Sequence, residues 1–486
     1  MSADGAGKIR FLLDGEVHEV ADCIPTTTVL EFLRERLART GTKEGCAEGD
    51  CGACTVVLAS LEDGRVRYQA VNACIRFLPT LDGKALFTVE SLRTADGALH
   101  PAQRAMVECH GSQCGFCTPG FVMSLYALYR SERDPGEDEL RHAICGNLCR
   151  CTGYRPILAA ARRMYAYPSA ESAHERALPG RLASIRVTRE KRLGGPDGSY
   201  AAPVTAAGLA AELAARPDST ILAGGTDVGL WVTKQQAELP HVVYLGNVAE
   251  LATVARHDGM LEIGAAVSLS DAFAALVGEF PDLAEIARRF ASPPICNAGT
   301  LCGNVANGSP IGDTMPALIC LGASVLLQSA GGTRELPLED FYLDYMKKDL
   351  RPGEFLRALR IPRSQSGLLL RSYKISKRYD QDISALCAAF ALELAAGRVR
   401  SARVAFGGMA AVPRRAPGCE RALAGAAWSA AGIAPAAAAL ASDFTPITDF
   451  RATREYRAKV AANLLSRMLA ETTDRGAAAS VWSHAG

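Results

Sequence analysis

The 486-residue sequence has no excess of either charge: 53 Lys and Arg stand against 52 Asp and Glu, a formal net charge of +1. That balance removes the electrostatic ground for a nucleic-acid partner. The N-terminus, MSADGAGKIRFLLDGEV, lacks an apolar stretch followed by a small-residue cleavage site, so no secretion signal is predicted. Long apolar runs are missing too. The nearest approach to a membrane span, Gly425 to Leu440, is alanine-rich, short and broken by Pro435. A soluble, cytoplasmic protein is therefore expected. There is no internal repeat, no G-x-G-x-x-G and no complete P-loop, which disfavours a Rossmann dinucleotide fold. Nor is there a G-x-S-x-G elbow, an H-E-x-x-H or an obvious carboxylate dyad, so nothing here reads as a substrate-oxidising site. Disorder is excluded because 49% of residues are hydrophobic, enough for the cores of roughly three or four domains.

What the sequence does have is cysteine, 16 in all. A reducing compartment argues against a disulfide framework, and a chain this long does not need one. Metal ligation is the leading explanation for any that cluster. Cys23, Cys46, Cys51, Cys54, Cys74, Cys109, Cys114, Cys117, Cys145, Cys149 and Cys151 crowd the front third, leaving Cys296, Cys302, Cys320, Cys387 and Cys419 for the rest. Residues 168–200, with Pro168, Pro179, Gly180, Gly194, Gly195, Pro196 and Gly198 among many charges, have the composition of a linker and mark the main boundary.

The front segment reads first as a hairpin, with Ile9, Phe11 and Leu13, an Asp14-Gly15 turn, then Val17 and Val20. Thr26 to Thr28 can cap a helix carrying Val29, Leu30, Phe32, Leu33 and Leu37 and ending at Gly41, and the β-branched run Thr55 to Leu58 is the next strand. Pro101, Pro119 and Pro156 each open an apolar-periodic stretch, Gly111 is placed to end the first of these, and a short helix over Asp138 to Ile144 makes four. A small bundle over residues 90–165 follows.

Two sets of four cysteines carry the chemistry. In GCAEGDCGACTV, Cys46, Cys51 and Cys54 have the spacing C-x4-C-x2-C, and Cys74 follows in VNACIR, the plant-type ferredoxin arrangement for a [2Fe-2S] cluster. Gly45, Gly49 and Gly52 suit a loop that must take positive φ and aim N–H groups at sulfur. A structural zinc site or buried free thiols are the alternatives, although zinc favours paired short C-x2-C units. The second set is Cys114 and Cys117 in SQCGFCTPG with Cys149 and Cys151 in NLCRCTGY. Each pair precedes a proline-opened helix, so both can converge at one end of the bundle, a geometry zinc could also use. Further along, ILAGGTDVG puts an apolar strand before Gly224-Gly225-Thr226-Asp227, a turn that admits close approach of a pyrophosphate but is also an ordinary loop. A second glycine-rich stretch, Ala298-Gly299-Thr300-Leu301-Cys302-Gly303-Asn304, is followed by Ser309-Pro310-Ile311-Gly312-Asp313.

The order of a ferredoxin-type loop, CGFCTPG and CRCTGY over residues 8–165, followed by AGGTD, GTLCGN and SPIGD, resembles the iron-sulfur and FAD half of the xanthine oxidase family of molybdenum hydroxylases. The resemblance implies a multidomain α+β chain. Its parts are a ferredoxin-like β-grasp domain (1–88), a four-helix iron-sulfur bundle (89–167), a linker (168–183), a two-lobed α+β FAD domain of the vanillyl-alcohol-oxidase type (184–362) and a small α/β C-terminal flavoprotein domain (363–486). It implies [2Fe-2S] clusters on Cys46, Cys51, Cys54 and Cys74 and on Cys114, Cys117, Cys149 and Cys151, with Gln113 approaching molybdopterin. The remaining eight cysteines match no ligand position and are expected as buried small hydrophobes.

For FAD, the resemblance implies a pyrophosphate segment of Ile221, Leu222, Ala223, Gly224, Gly225, Thr226, Asp227 and Val228, with Phe290 flanking the flavin and Thr300, Gly303, Asn304 and Asp313 contacting it. Leu356 in FLRALRIP and Lys374 in SYKISKR complete the site on looser matches. From the residues alone, Phe290 could equally be a core aromatic at a helix end. Gly225 and Asp227 stand where vertebrate members carry Asn and Glu, and the chain stops at residue 486 where eukaryotic members continue into a molybdenum domain. The implied role is a relay: xanthine or hypoxanthine is oxidised toward urate at molybdopterin on a large partner chain, in an assembly of two small and two large chains. Electrons then pass through the helical-domain cluster, the ferredoxin-type cluster and FAD to NAD. The same relay in an aldehyde- or N-heterocycle-oxidising enzyme, or a stand-alone iron-sulfur flavoprotein reductase, are the alternatives.

Overall fold

A computed structural model describes residues 7–93, 97–168, 173–195, 198–364 and 366–473. The chain divides into two compact units, one made of Met1–Ala252, Ser268–Ser270 and Ala291–Thr300, the other of Thr253–Val267, Asp271–Phe290 and Leu301–Gly486.

The first unit opens on the expected hairpin, Ile9–Leu13 with Glu16–Val20, Ile9 facing Val20 and Leu13 facing Glu16. Asp14 and Gly15 both take positive φ, 53° and 78°, as a primed two-residue turn requires. The sheet order is Glu16–Val20, Ile9–Leu13, Ala85–Phe87, Thr55–Glu62, Arg65–Asn72, with the Ile9–Leu13 and Ala85–Phe87 pair parallel. Ile9, Phe11 and Leu13 turn one face of it onto Leu30, Phe32 and Leu33, the β-grasp arrangement. Thr28 caps that helix through a reciprocal capping box with Glu31.

The helix does not reach Gly41. It widens into a π turn over Phe32–Arg36, Leu37 N–H bonding Phe32 O, and Ala38 turns left-handed at φ 51°. Gly41 is instead tied by its N–H to the Glu90 carboxylate at 2.8 Å, and a Cβ there would lie 2.4 Å from that oxygen.

The helical segment holds Pro101–Glu108, Thr118–Ser131, Glu137–Ile144 and Arg155–Arg163. The first stops at Glu108, three residues before Gly111. His110, φ 54°, takes the left-handed position, its N–H bonding Val107 O, while Gly111 N–H bonds Met106 O. This is the full Schellman pattern with a histidine where glycine is usual.

The segment expected as a linker is corrected over its described part. Ala173–Ser184 is a helix with Pro179 inside it, and Leu178 and Leu182 join the core of the four-helix segment. Its Glu175 accepts a hydrogen bond from Tyr126 at 2.8 Å. Only two apolar side chains one turn apart are needed to dock so short a helix, which is why composition concealed it. Pro196 lies outside the described residues.

The unit closes with a four-stranded sheet in the order Lys191–Gly195, Gly198–Ala202, His241–Tyr244, Thr220–Leu222, its last two pairs parallel.

The second unit has an antiparallel five-stranded sheet, Val254–His257, Met260–Gly264, Phe355–Pro362, Ser324–Ser329 and Gly332–Pro337 in that order. A four-stranded antiparallel sheet follows, formed by Leu368–Ile375, Leu386–Ala395, Arg398–Gly407 and Arg414–Arg415. Pro417–Leu423, Ala430–Asp443 and Arg454–Thr473 pack on it through Leu423, Ile433, Leu440, Leu464, Leu465 and Met468. Part of the alanine-rich run is thus a core-packed helix, and no helix among the described residues is long and apolar enough to cross a membrane.

Candidate functional site

The ladder between Thr55–Glu62 and Arg65–Asn72 begins with Thr55 opposite Asn72, which sets Cys54 and Cys74 side by side at one end of the sheet. Their sulfurs are 3.2 Å apart, and both residues are buried. The loop before Cys54 folds back over them by way of Ala47, Gly49 and Gly52, all at positive φ (55°, 78° and 70°). Cys46 Sγ thereby accepts the Cys51 and Glu48 backbone N–H groups at 3.4 and 3.5 Å. Hydrogen bonds from the Cys51 and Cys74 thiols, reinforced by those two N–H groups, hold the Cys46 thiol far below its ordinary value. Gly45 leaves room for sulfur, since a Cβ there would lie 2.8 Å from Cys51 Sγ. Four converging sulfurs, one already bonded as a thiolate would be, fit a [2Fe-2S] cluster.

The second set also converges, as the proline-opened helices predict. Cys114 and Cys151 sulfurs are 3.6 Å apart, and Cys117 and Cys149 are hydrogen-bonded to one another. Burial, followed by that bond, pushes the Cys117 thiol up to about 12. Gly115, Gly153 and Tyr154 at positive φ turn the two loops toward each other. Cys114 and Cys151 are exposed, whereas Cys54 and Cys74 are not. Among the described residues no group of three or more His, Cys, Asp or Glu is set to hold a lone metal ion.

Three residues supporting these loops were not read from the sequence. Tyr154 OH accepts the Cys149 N–H at 2.9 Å, and the Thr152 hydroxyl lies 3.1 Å from Cys149 Sγ. Asn147, buried, joins the two sulfur loops: its Nδ2 donates to Gly52 O at 3.0 Å and Thr55 Oγ1 at 3.2 Å, and its Oδ1 accepts from Ser124 at 2.6 Å. The available signal was a polar side chain two residues from a ligand-type cysteine. Of the eight other cysteines, Cys23, Cys296, Cys302, Cys320, Cys387 and Cys419 are buried as expected, while Cys109 and Cys145 are only half-buried.

The residues expected at FAD fall in both units. In the first, Ile221 and Leu222 end the strand Thr220–Leu222, Ala223 to Thr226 turn, and Asp227 precedes the helix Val228–Thr233. Gly225 is left-handed at φ 79°. Both expected glycine stretches meet here: a Cβ on Gly224 would lie 2.1 Å from Ala298 O, and one on Gly299 would lie 3.2 Å from Thr226 Oγ1. The Asp227 carboxylate accepts Trp231 Nε1 at 3.0 Å. Thr300 bridges to Ser268. Such side-chain-free backbone is the cradle that a diphosphate needs.

In the second unit, Gly303 and Asn304 lie on the helix Leu301–Asn307, with Asn304 Oδ1 accepting the Thr314 hydroxyl at 2.5 Å. Asp313 precedes the helix Thr314–Cys320, and its carboxylate receives Lys374 Nζ at 2.8 Å and Ser384 Oγ at 2.5 Å. Lys374 Nζ also reaches Phe290 O at 3.3 Å. The structure thus gathers Phe290, Asp313 and Lys374, with Ser384 an addition the motifs did not mark. Lys374 and Asp313 side chains are only 1% and 7% exposed and satisfy each other, so they form a buried ion pair rather than an open donor and an open acceptor. Phe290 packs on Phe273, ring centroids 5.2 Å apart, at the end of the helix Ala284–Arg289. Leu356 is a core residue of Phe355–Pro362, opposite Leu327.

Fold and sulfur sets together define an iron-sulfur flavoprotein. Family models match in order along the chain: the 2Fe-2S iron-sulfur cluster binding domain over residues 11–78, the [2Fe-2S] binding domain over 88–162, the FAD binding domain in molybdopterin dehydrogenase over 194–364 and the CO dehydrogenase flavoprotein C-terminal domain over 371–472. Xanthine dehydrogenase of Emericella nidulans is 34% identical over 86% of this chain and 35% of its own length. Aldehyde oxidase 1 of Bos taurus is 30% identical over 84% of this chain and 35% of its own. The chain spans about a third of the length of these relatives. Among solved structures, CO dehydrogenase from Oligotropha carboxidovorans aligns at TM-score 0.52 and 28% identity over 56% of this chain and 96% of that one. Quinoline 2-oxidoreductase from Pseudomonas putida 86 aligns at 0.53 and 26%, over 59% and 99%. The chain belongs to the xanthine oxidase family of molybdenum hydroxylases, whose electron-transferring [2Fe-2S] and FAD domains it carries.

Proposed function

We propose that this chain is the electron-transfer subunit of a xanthine dehydrogenase. It would work with a large chain holding molybdopterin, two of each per assembly, in the oxidation of hypoxanthine and xanthine to urate with NAD as acceptor. The observation that carries the reading is the succession of two four-sulfur sets and a flavin-type phosphate loop in one chain, alongside xanthine dehydrogenase relatives over most of its length. The solved CO dehydrogenase and quinoline 2-oxidoreductase chains are each matched over nearly their whole length by little more than half of this chain, which supports an assembly divided among several chains.

In this reading Cys46, Cys51, Cys54 and Cys74 hold one [2Fe-2S] cluster and Cys114, Cys117, Cys149 and Cys151 the other. Residues Ile221 to Val228 with Thr300 cradle the FAD diphosphate, and Phe290, Gly303, Asn304, Asp313, Leu356 and Lys374 are the further FAD residues that the family resemblance implies. When bound, the clusters carry single electrons and the flavin pairs them for hydride transfer to NAD. The chain's own work is to bury Cys54 and Cys74, direct N–H groups at Cys46 and keep Cys114 and Cys151 exposed, where a partner chain can reach them.

Mixing the purified chain with xanthine under anaerobic conditions, with and without its molybdenum partner, tests this. Flavin bleaching and NADH formation only with the partner present are expected. Bleaching without the partner refutes the division of labour, and an active complex that ignores xanthine but oxidises an aldehyde or N-heterocycle refutes the substrate.

A further inference from the structure

Asn72 and Arg76 flank Cys74 and are 2% and 8% exposed. Each keeps a polar atom buried without a partner, Oδ1 of Asn72 and Nε of Arg76. Both line one narrow cleft with Gly224, Thr226 and Ala298 of the glycine-rich loops. The segment presses on the phosphate-type loop and its helix: a Cβ on Gly229 would lie 2.6 Å from Ile75 O, and one on Gly225 would lie 3.9 Å from it.

A guanidinium stays charged at any working pH and is costly to bury with a donor unused. Arg76 hydrogen-bonds the buried Tyr244 hydroxyl, and its charge also acts on nearby Lys84. An unpartnered guanidinium N–H on a residue that lines the cleft beside Gly224 and Thr226 calls for an acceptor there. Neither the glycine loops nor the cysteine motifs account for Arg76.

We propose that Arg76 is a positioning residue for the FAD diphosphate, a cation lent by the iron-sulfur domain to the loop Gly224 to Thr226. The proposal rests on the flavin reading of that loop. Arg76 Nε–H donates toward the diphosphate, and Asn72, on the other side of Cys74, shapes the same cleft.

The test is calorimetric titration of the full-length, flavin-stripped chain with FAD, ADP and riboflavin, alongside visible and EPR spectra of the clusters. R76Q is expected to weaken FAD and ADP alike by about tenfold or more, the scale of one charge-assisted hydrogen bond, with riboflavin and both cluster spectra unchanged. Equal ADP affinity in wild type and R76Q overturns the proposal, as does a loss falling on riboflavin as heavily as on ADP. A wild-type chain that binds neither FAD nor ADP removes the flavin reading itself. Should R76Q fail to load its clusters, R76K takes its place, keeping the charge but not the planar fork. It is expected to bind ADP about threefold more weakly, and unchanged affinity overturns the proposal.

Discussion

Cys149 is held by more than its sulfur partners: Tyr154 OH takes its N–H and Thr152 lies against its thiol. Its set is built on helix-end loops, whereas Cys46, Cys51, Cys54 and Cys74 are anchored at the end of a sheet. Cys149→Ser should therefore remove one [2Fe-2S] EPR signal and leave the other. Loss of both would show that the two sets do not assemble independently. A second residue sets an acid limit. His100 caps Pro101–Glu108 through Nδ1, packs edge-on to Tyr126 and Tyr129, and is pushed down to about 4 by burial. The fold keeps this imidazole neutral while the unfolded chain protonates it near pH 6.5, so the stabilisation is whole above that pH and is lost as pH falls from there toward 4. Between pH 8 and pH 5 the single group should cost about 2 kcal/mol. Urea unfolding of the wild type and H100Q at the two pH values checks this: the variant should show a smaller acid loss, and parallel losses contradict it.

At the scale of elements, two close approaches fix the outcome of substitutions. Gly224 stands against Ala298 O with no room for a methyl group. Gly224→Ala should force the two glycine loops apart at about 1–3 kcal/mol, and the purified chain should lose most of its flavin while keeping its iron. Retention of flavin at wild-type affinity would place the diphosphate elsewhere. In the second unit, Arg457 of Arg454–Thr473 is 1% exposed and donates to Ala385 O and to both Asp449 oxygens at 2.9 Å. Arg457→Met should destabilise this unit by about 3 kcal/mol, measured as a lowered thermal midpoint, because it strands the Ala385 carbonyl and removes the guanidinium paired with Asp449.

These elements also show what could be read in advance. Asp14-Gly15, the capping Thr28 and the helix-opening prolines act over three or four residues, so sequence alone locates them. The helix Ala173–Ser184 and the halt before Gly41 depend on distant partners, Tyr126 with Glu175 and Gly41 with Glu90, that spacing does not reveal. The cysteine sets were legible because their spacing is itself the geometry. Asn147 and Ser384 were not, since each gains its role from residues remote in the chain.

For the whole molecule, the near-neutral composition matches a chain whose chemistry lies in cofactors and not in a charged surface. Eight of its 16 cysteines are proposed to hold two [2Fe-2S] clusters beside one FAD. Iron, acid-labile sulfide, zinc and flavin should be measured on the same anaerobically purified full-length sample. About four iron atoms and about four sulfides per chain are expected, two of each per cluster, with about one FAD and negligible zinc. Stoichiometric zinc, or iron without sulfide, would contradict it.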